Sequence, residues 1–246
     1  MDVLAGFAAK HGIAYPLLSD QGSRVIRALG LFNEHVYEHH AVYGIPKQDH
    51  HWGVSYPGSF LLDEQGCVMQ KRFEQSYRER ETGVGVLEQG FGIKSPIHGA
   101  EARAQTEGVE IYAYLDSTTY RFFQRLWLTV ELTIAPGLHV YGQPTPEGCI
   151  PLIVEVAPIA GVVVGAPRFP PPLPYHIDGL EEKFFVYKGK VTVTVPLTFT
   201  QEGDEQTVHV TIRHQTCSPT DCFEPSAITL SLPVQAADLI ERPRRK

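Results

Sequence analysis

The chain has 246 residues, a formal net charge of −7 at pH 7 and 43% hydrophobic residues. This length and composition suit one large folded domain or two small ones. The acidic balance disfavours a surface for nucleic acid or anionic membranes, and the basic cluster at residues 242–246 is confined to the terminal tail. No apolar run approaches the ~18 residues of a membrane span, and acidic Asp2 stands where a signal peptide would be basic. As written, the sequence predicts a soluble chain that is not exported.

Helix and strand patterns alternate over residues 1–92. The predicted elements are helices at 2–11, 23–31 and 77–89, a strand at 13–18, and a strand pair at 56–63 and 66–73. Ser19 and Asp20 offer an N-cap for the second helix. This order of elements is typical of an α/β segment.

The composition changes after residue 92. Residues 93–108 have linker composition, with almost no large apolar side chains. The following predicted strands lie at 109–115, 125–134, 138–141, 152–156, 184–187, 191–199, 207–214 and 227–234. Prolines at 170–172 and 174 belong to a loop, because proline cannot join a central strand. Short strands in such succession are typical of an immunoglobulin-like antiparallel β-sandwich. We therefore predict an α+β two-domain chain: an α/β segment (1–92), a linker (93–108), a sandwich (109–236) and a basic tail (237–246).

Five histidines fall in the long connection before Pro57, namely His35, His39, His40, His50 and His51. His35 and His39 are four residues apart, so on a helix they would share a face and could bind a transition metal. The alternative is a solvated, histidine-rich loop. Because nothing else in the pattern fixes a coordination geometry, we expect no metal site here, and we expect no cofactor elsewhere in the chain.

Cys217 and Cys222 form the one closely spaced cysteine pair in the sequence. Pro219 and Asp221 favour a turn between two strands, which would bring the Cα atoms within the roughly 4.4 to 6.8 Å of a disulfide. A short closed loop gains less stability from a disulfide than a long one, and this favours a redox pair over a structural crosslink. An inert disulfide is the main alternative.

A zinc site is the third reading of this pair, with His209 and His214 as the nearby additional ligands. His214 could alternatively lower the pKa of a thiol three residues away. Of the remaining cysteines, Cys67 is predicted to be buried filler in a strand, and Cys149 a structural thiol at a loop or strand edge.

Several motifs of the first segment together resemble one known family. They are the run of residues 5–20 ending in Tyr15-Pro-Leu-Leu-Ser-Asp, then Tyr56-Pro-Gly-Ser-Phe-Leu-Leu-Asp and Gly66-Cys-Val. They resemble the C-terminal half of a peroxiredoxin of the AhpC/TSA (redoxin) family. The resemblance implies a thioredoxin-like fold over about the first ninety residues, with Pro57 as its cis-proline. The strand and helix that carry the peroxidatic cysteine in that family have no counterpart here. We therefore expect a truncated thioredoxin-like segment that is not a self-sufficient peroxidase.

Three motifs of the second segment resemble the N-terminal domain of the thiol:disulfide interchange protein DsbD. They are Pro136-Gly-Leu-His-Val-Tyr141, Phe185-Val-Tyr-Lys-Gly189 and the stretch from His214 to Pro225. The resemblance implies a sandwich with a redox-active Cys217–Cys222 pair that exchanges electrons with thioredoxin-like or other thiol-disulfide proteins. The residues implied to line or cap this pair are His139, Tyr141, Tyr175 and Leu180, beside the candidate His214.

The function predicted is therefore thiol-disulfide exchange through Cys217 and Cys222. Electrons would come from a separate protein, because the family's membrane-spanning and C-terminal thioredoxin domains have no counterpart in the sequence. A non-catalytic interaction module with a structural disulfide is the alternative. The resemblance points to the periplasm and the missing signal peptide to the cytoplasm, so the compartment is not predicted.

Overall fold

The chain divides into two compact units, Met1–Tyr77 and Arg78–Lys246. The computed structural model describes residues 2–42, 44–73, 79–96, 99–176, 183–201 and 203–237. Within those ranges, no helix has both the length and the apolar character needed to cross a membrane.

The described residues of the first unit form three α-helices, two short 3-10 helices (Gln21–Ser23 and Asp49–His51) and one hairpin. The α-helices are α1 (Asp2–His11), α2 (Arg24–Ala28) and α3 (Val36–Val42), and the hairpin is the antiparallel pair β1 (Gly58–Leu62) and β2 (Val68–Phe73). The Asp20 carboxylate accepts hydrogen bonds from the N–H groups of Val25 and Ile26 at 3.0 and 2.9 Å. These bonds satisfy backbone donors at the start of α2, as expected of a capping side chain, and they lower the pKa of Asp20.

Two expectations for the first unit are wrong. Residues 13–18 form no strand, since among the described residues no neighbouring strand pairs with them. The peptide bond before Pro57 is not cis; the cis bond of the described residues is Gln143–Pro144. Pro57 precedes β1, and the two residues before it pair with Leu31 and Phe32. The bond takes the trans form, which is favoured for X–Pro bonds by about 0.5–1 kcal/mol.

The second unit begins with β3 (Arg80–Glu81) and α4 (Gly83–Phe91). Thr82 caps α4: its hydroxyl accepts the Gly85 N–H at 2.8 Å and donates to the Asp116 carboxylate. The Glu88 carboxylate accepts from the Tyr114 hydroxyl at 3.2 Å. Because these bonds tie α4 to residues 114 and 116, the division of the chain lies before this helix and not at residue 92.

The rest of the second unit consists of β-strands. They are β4 (Glu101–Thr106), β5 (Val109–Leu115), β6 (Thr119–Tyr120), β7 (Gln124–Ile134), β8 (His139–Tyr141), β9 (Ile153–Val156), β10 (Val162–Val164), β11 (Leu173–Tyr175), β12 (Phe184–Tyr187), β13 (Lys190–Phe199), β14 (Gln206–His214), β15 (Thr216–Cys217) and β16 (Ser226–Ala236). The bounds of the eight strands predicted from the sequence agree with the observed bounds within two residues. The chain is thus mostly β.

Three sheets organise the described strands of this unit. The first has the order β10-β13-β7-β5-β4, with β3 also paired to β7; the second has the order β6-β16-β14-β9; the third has the order β11-β12-β8-β15. Alternate side chains of β13 and β14, including Val193, Val195, Val210 and Ile212, are fully buried in one apolar cluster. The first two sheets therefore share a core, as the period of two along a strand requires.

The segment predicted as a linker contains a strand instead. β4 pairs antiparallel with β5 from Glu101↔Tyr114 to Thr106↔Val109. Its Ala102 and Ala104 pack against the core cluster. Small side chains made this stretch look like a linker by composition, whereas in the structure they fit the edge of a sheet whose larger residues come from β5.

Candidate functional site

Cys217 and Cys222 are joined by a disulfide that closes a tight turn. Their Cα atoms are 4.0 Å apart, slightly closer than expected. The Ser218 hydroxyl accepts the N–H groups of Thr220 and Asp221 at 3.2 and 2.9 Å. The Phe223 N–H donates to the Thr216 carbonyl at 2.9 Å on the far side of the pair. The loop is thus held by its own hydrogen bonds as well as by the disulfide.

The two cysteines differ sharply in exposure. Cys217 ends β15, pairs with β8 and is 0% exposed. Cys222 follows the turn and is exposed. A thiolate of another protein can therefore approach the Cys222 side of the bond, whereas Cys217 lies in the protein interior.

An aromatic cluster surrounds Cys217. Tyr141, Phe184, Val186 and Cys217 form a buried group against which Tyr175 packs. Burial raises the pKa of Tyr141 to about 12, with smaller contributions from Cys149 and Tyr175. The predicted residues Tyr141 and Tyr175 are therefore brought together with the cysteine pair.

His139 lies in the same cluster. It is the direct partner of Cys217 in the β8–β15 register. Its ring centroid is 5.1 Å from that of Tyr141 and 4.5 Å from that of Tyr175. Burial first, and the Lys188 cation second, lower the pKa of His139, which favours the neutral imidazole.

His214 is placed differently from the expectation. It is 0% exposed, its Nε2 lies 3.1 Å from the Thr106 hydroxyl, and its Nδ1 lies 3.3 Å from the Thr216 hydroxyl. Burial lowers its pKa. Both ring nitrogens are thus occupied by threonines, which indicates a packing role. The proposed cap residue Leu180 lies outside the described residues.

Cys149 is a site neighbour that the sequence reasoning missed. It is half-buried and packs against the cluster that contains Cys217, and burial raises its pKa. The next residue, Ile150, donates its N–H to Gln215 Oε1 at 3.2 Å, and Gln215 Nε2 donates to the Phe223 carbonyl at 3.0 Å. The sequence around Gly148 and Cys149 does not indicate this proximity, because the loop is held by a hydrogen bond to Gln215, which lies two residues before Cys217.

Cys67 and the histidines of the first unit do not form a comparable site. Cys67 is exposed in the turn between β1 and β2, with its N–H donating to Asp63 Oδ1 at 2.8 Å, so the prediction of buried filler is wrong. The turn needs this residue's backbone rather than its side chain. His35 and His39 have ring centroids 6.5 Å apart. Over the ranges that the structure describes, no group of three or more His, Cys, Asp or Glu residues could hold a metal ion.

Comparison with known families agrees with both resemblances. Residues 117–233 match the family described as thiol:disulfide interchange protein DsbD, N-terminal. This segment resembles the DsbD N-terminal domain. Residues 1–71 match the AhpC/TSA family. No curated protein matches the chain.

Solved structures similar to the chain include two bacterial domains of related description and one yeast domain. The N-terminal periplasmic domain of ScsB from Proteus mirabilis has 17% identity and a TM-score of 0.38 and covers 56% of this chain, which spans about half (51%) of that structure. The reduced DsbD N-terminal domain of Neisseria meningitidis has 17% identity and a TM-score of 0.32, covering 44% of this chain and 77% of its own. The yeast GGA1 GAE domain has 13% identity and a TM-score of 0.32, covering 55% and 99%.

Proposed function

We propose that this protein carries out thiol-disulfide exchange through Cys217 and Cys222. The observation that carries the proposal is the unequal exposure of the bonded cysteines, with Cys217 buried and Cys222 open to a partner. A crosslink that only stabilised the sandwich would gain little from so short a loop. The match of residues 117–233 to a family described by thiol:disulfide interchange adds to this argument.

The proposed exchange proceeds in two displacements. A partner thiolate attacks Cys222 Sγ, the Cys217–Cys222 bond breaks, and Cys217 leaves as a thiolate that is then protonated. The second thiol of the partner then attacks the partner sulfur that is bonded to Cys222. This step forms a disulfide within the partner, which is thereby oxidised, and releases Cys222 as a thiolate. The reverse sequence passes the two electrons to an oxidised partner. The partner we propose is a thioredoxin-like or other thiol-disulfide protein.

The finer description of the fold belongs to the same proposal. We infer that residues 109–236 form an immunoglobulin-like sandwich, because two mostly antiparallel sheets share one core and proline confines β11 to a sheet edge. We infer that the first segment is part of a thioredoxin-like fold, on the strength of its AhpC/TSA match. We propose no peroxidase activity for it, since exposed Cys67 lies in a hairpin turn beside Asp63 and not at a helix N-terminus.

The reduction potential of Cys217–Cys222 tests the proposal. Equilibration of the full chain with glutathione or thioredoxin buffers, followed by alkylation and mass spectrometry, gives the oxidised fraction of this pair. We expect a potential between about −270 and −180 mV, the range of proteins that exchange disulfides. A potential below about −300 mV would instead identify a structural disulfide and leave a non-catalytic interaction module.

A further inference from the structure

The His139 imidazole has an unusual environment. The residue is 2% exposed, and within the described ranges its buried Nε2 has no hydrogen-bond partner. Leaving a buried polar atom unpaired costs about 1–3 kcal/mol, so such an atom calls for an explanation. The stability of the oxidised fold does not explain this unpaired nitrogen, because an unpaired buried polar atom lowers that stability.

The strand register places Cys217 next to this imidazole. Cys217 and His139 are opposite each other in the antiparallel β15–β8 pair. Side chains of directly opposed residues lie on the same face of a sheet, with Cβ atoms roughly 4.5–5.5 Å apart. In the disulfide, Cys217 carries no proton for Nε2 to accept. In the dithiol it carries one S–H group, in the same buried cluster.

We propose that His139 accepts the proton of Cys217 when a mixed disulfide on Cys222 is resolved, an inference that rests on the proposed function. The Cys217 thiol gives its proton to His139 Nε2, and its sulfur attacks Cys222 Sγ. The Cys217–Cys222 bond forms, the bond between Cys222 and the partner sulfur breaks, and the partner leaves as a thiolate. In the opposite direction the protonated imidazole returns the proton to the departing Cys217 thiolate. No further oxidant or reductant enters the step.

The surrounding charges suit an acceptor that is neutral before the step. Among the described residues, the titratable groups around His139 are Lys188, whose cation opposes its protonation, the phenols of Tyr141 and Tyr175, and the cysteines Cys149 and Cys217 of the same buried cluster. A thiolate at Cys217 supplies the negative charge that stabilises the imidazolium once the proton has moved. His214 is not an equivalent acceptor, because threonine hydroxyls lie against both of its ring nitrogens.

The reaction of the reduced protein with one equivalent of 5,5′-dithiobis(2-nitrobenzoate) separates the two displacements. The full chain carries Cys67→Ser and Cys149→Ser, so that only the pair reacts. Attack by Cys222 releases the first thionitrobenzoate, and attack by Cys217 on the resulting mixed disulfide releases the second. The second phase of absorbance therefore reports the step assigned to His139, and the first phase is its internal reference.

The decisive comparison is between His139→Gln and the matched control His209→Gln, an exposed histidine of β14 that contacts Ser231. We expect His139→Gln to slow the second phase by about a hundredfold or more at pH 7, the effect of removing a general base. The first phase should change less than about twofold, and raising the pH to 9 should restore most of the second-phase rate as the thiol ionises unaided. His209→Gln should match the parent in both phases.

Three results would overturn the inference. One is a second phase in His139→Gln with the parent's rate and pH profile, and another is a slowing that is the same at every pH, as a packing defect would give. The third is the absence of a second phase in the parent, which would overturn the proposed function as well. If His139→Gln does not fold, the pH dependence of the second-phase rate in the parent protein tests the inference instead. A second-phase rise below about threefold from pH 7 to 9 supports the inference, and a rise of about tenfold per pH unit, as for an unassisted thiol, refutes it.

Discussion

Gln215 donates a hydrogen bond from its side-chain Nε2 to the carbonyl oxygen of Phe223, 3.0 Å away. Through Oε1 the same side chain accepts the Ile150 N–H at 3.2 Å. One amide thus holds the residue after Cys222 to the residue after Cys149.

Replacing Gln215 by Ala should loosen the loop that carries Cys222. Two hydrogen bonds of about 1 kcal/mol each are lost, so we expect disulfide reduction by dithiothreitol to become several-fold faster and the free energy of unfolding to fall by about 1–2 kcal/mol. Stopped-flow reduction and urea denaturation measure the two effects. Gln105→Ala, on the exposed side of β4, is the control and should change neither. An unchanged reduction rate in Gln215→Ala would show that this amide does not restrain the loop.

The four cysteines should differ in their rates of alkylation. In the reduced protein we expect Cys222 to react with iodoacetamide at least about tenfold faster than Cys217, since Cys222 is exposed and Cys217 is buried. Cys149, half-buried and with a pKa raised by burial, should react more slowly than exposed Cys67. Quenched labelling with peptide mass spectrometry gives each rate. Equal rates for Cys217 and Cys222 would contradict the asymmetry on which the proposed function depends.

Two glycines of α4 form a matched pair for testing how the helix packs. A Cβ atom at Gly85 would lie 2.7 Å from both Asp116 Oδ2 and Trp127 Cδ1, whereas at Gly83 it would meet nothing within 4 Å. Gly85→Ala should therefore lower the free energy of unfolding by about 1–3 kcal/mol through overpacking. Gly83→Ala should leave it unchanged or raise it by up to about 1 kcal/mol through helix propensity. Thermal denaturation followed by circular dichroism distinguishes the two, and equal effects would contradict the close packing at Gly85.

Asp116 should make the second unit less stable as the pH rises from about 4 to 7. Burial raises the pKa of this carboxyl to about 7, against hydrogen bonds from Thr82 and the Trp127 N–H that favour the charged form. The pKa of this carboxyl is 3.8 in the unfolded chain and about 7 in the folded one, so between these pH values only the folded state keeps the proton. The free energy of unfolding therefore falls as the pH rises through this range and levels off above about 7. Asp116→Asn should remove this loss, which is on the order of a few kcal/mol.

Urea denaturation at pH 5 and pH 8 measures this difference. Trp127 fluorescence in a Trp52→Phe background reports the second unit alone, because the chain has two tryptophans. Exposed Asp204→Asn is the control and should keep the parent's pH dependence. If Asp116→Asn shows the same change between the two pH values as the parent, Asp116 does not titrate in this range.

The strands of the second unit were predictable because their side chains alternate. β13 and β14 bury every second residue, and that period is visible in the sequence. β4 was not predictable in this way, since its inward residues are alanines whose burial depends on β5. The two-residue strand β15 was equally hidden, because its pairing with β8 links residues more than seventy positions apart.

The candidate site was predictable where a motif carried it. The motif resemblances named Cys217, Cys222, His139, Tyr141 and Tyr175, and the structure places these five residues close together. Cys149 and Gln215 were missed, because their proximity to the disulfide arises from side-chain contacts across the fold. The cis bond expected at Pro57 was wrong, because the presence of a proline does not by itself determine the isomer of the bond before it.

The hydrogen bonds of the Ser218 hydroxyl bear on how an electron donor and an electron acceptor would each bind this protein. This hydroxyl receives the Thr220 and Asp221 N–H groups without using either sulfur, and Cys217 is fixed by its strand partner. We expect the turn to keep its shape in the dithiol, so that electron donor and electron acceptor meet the same docking face. The donor and the acceptor would then bind in turn and not together, and an excess of either protein would inhibit exchange with the other by competing for this face.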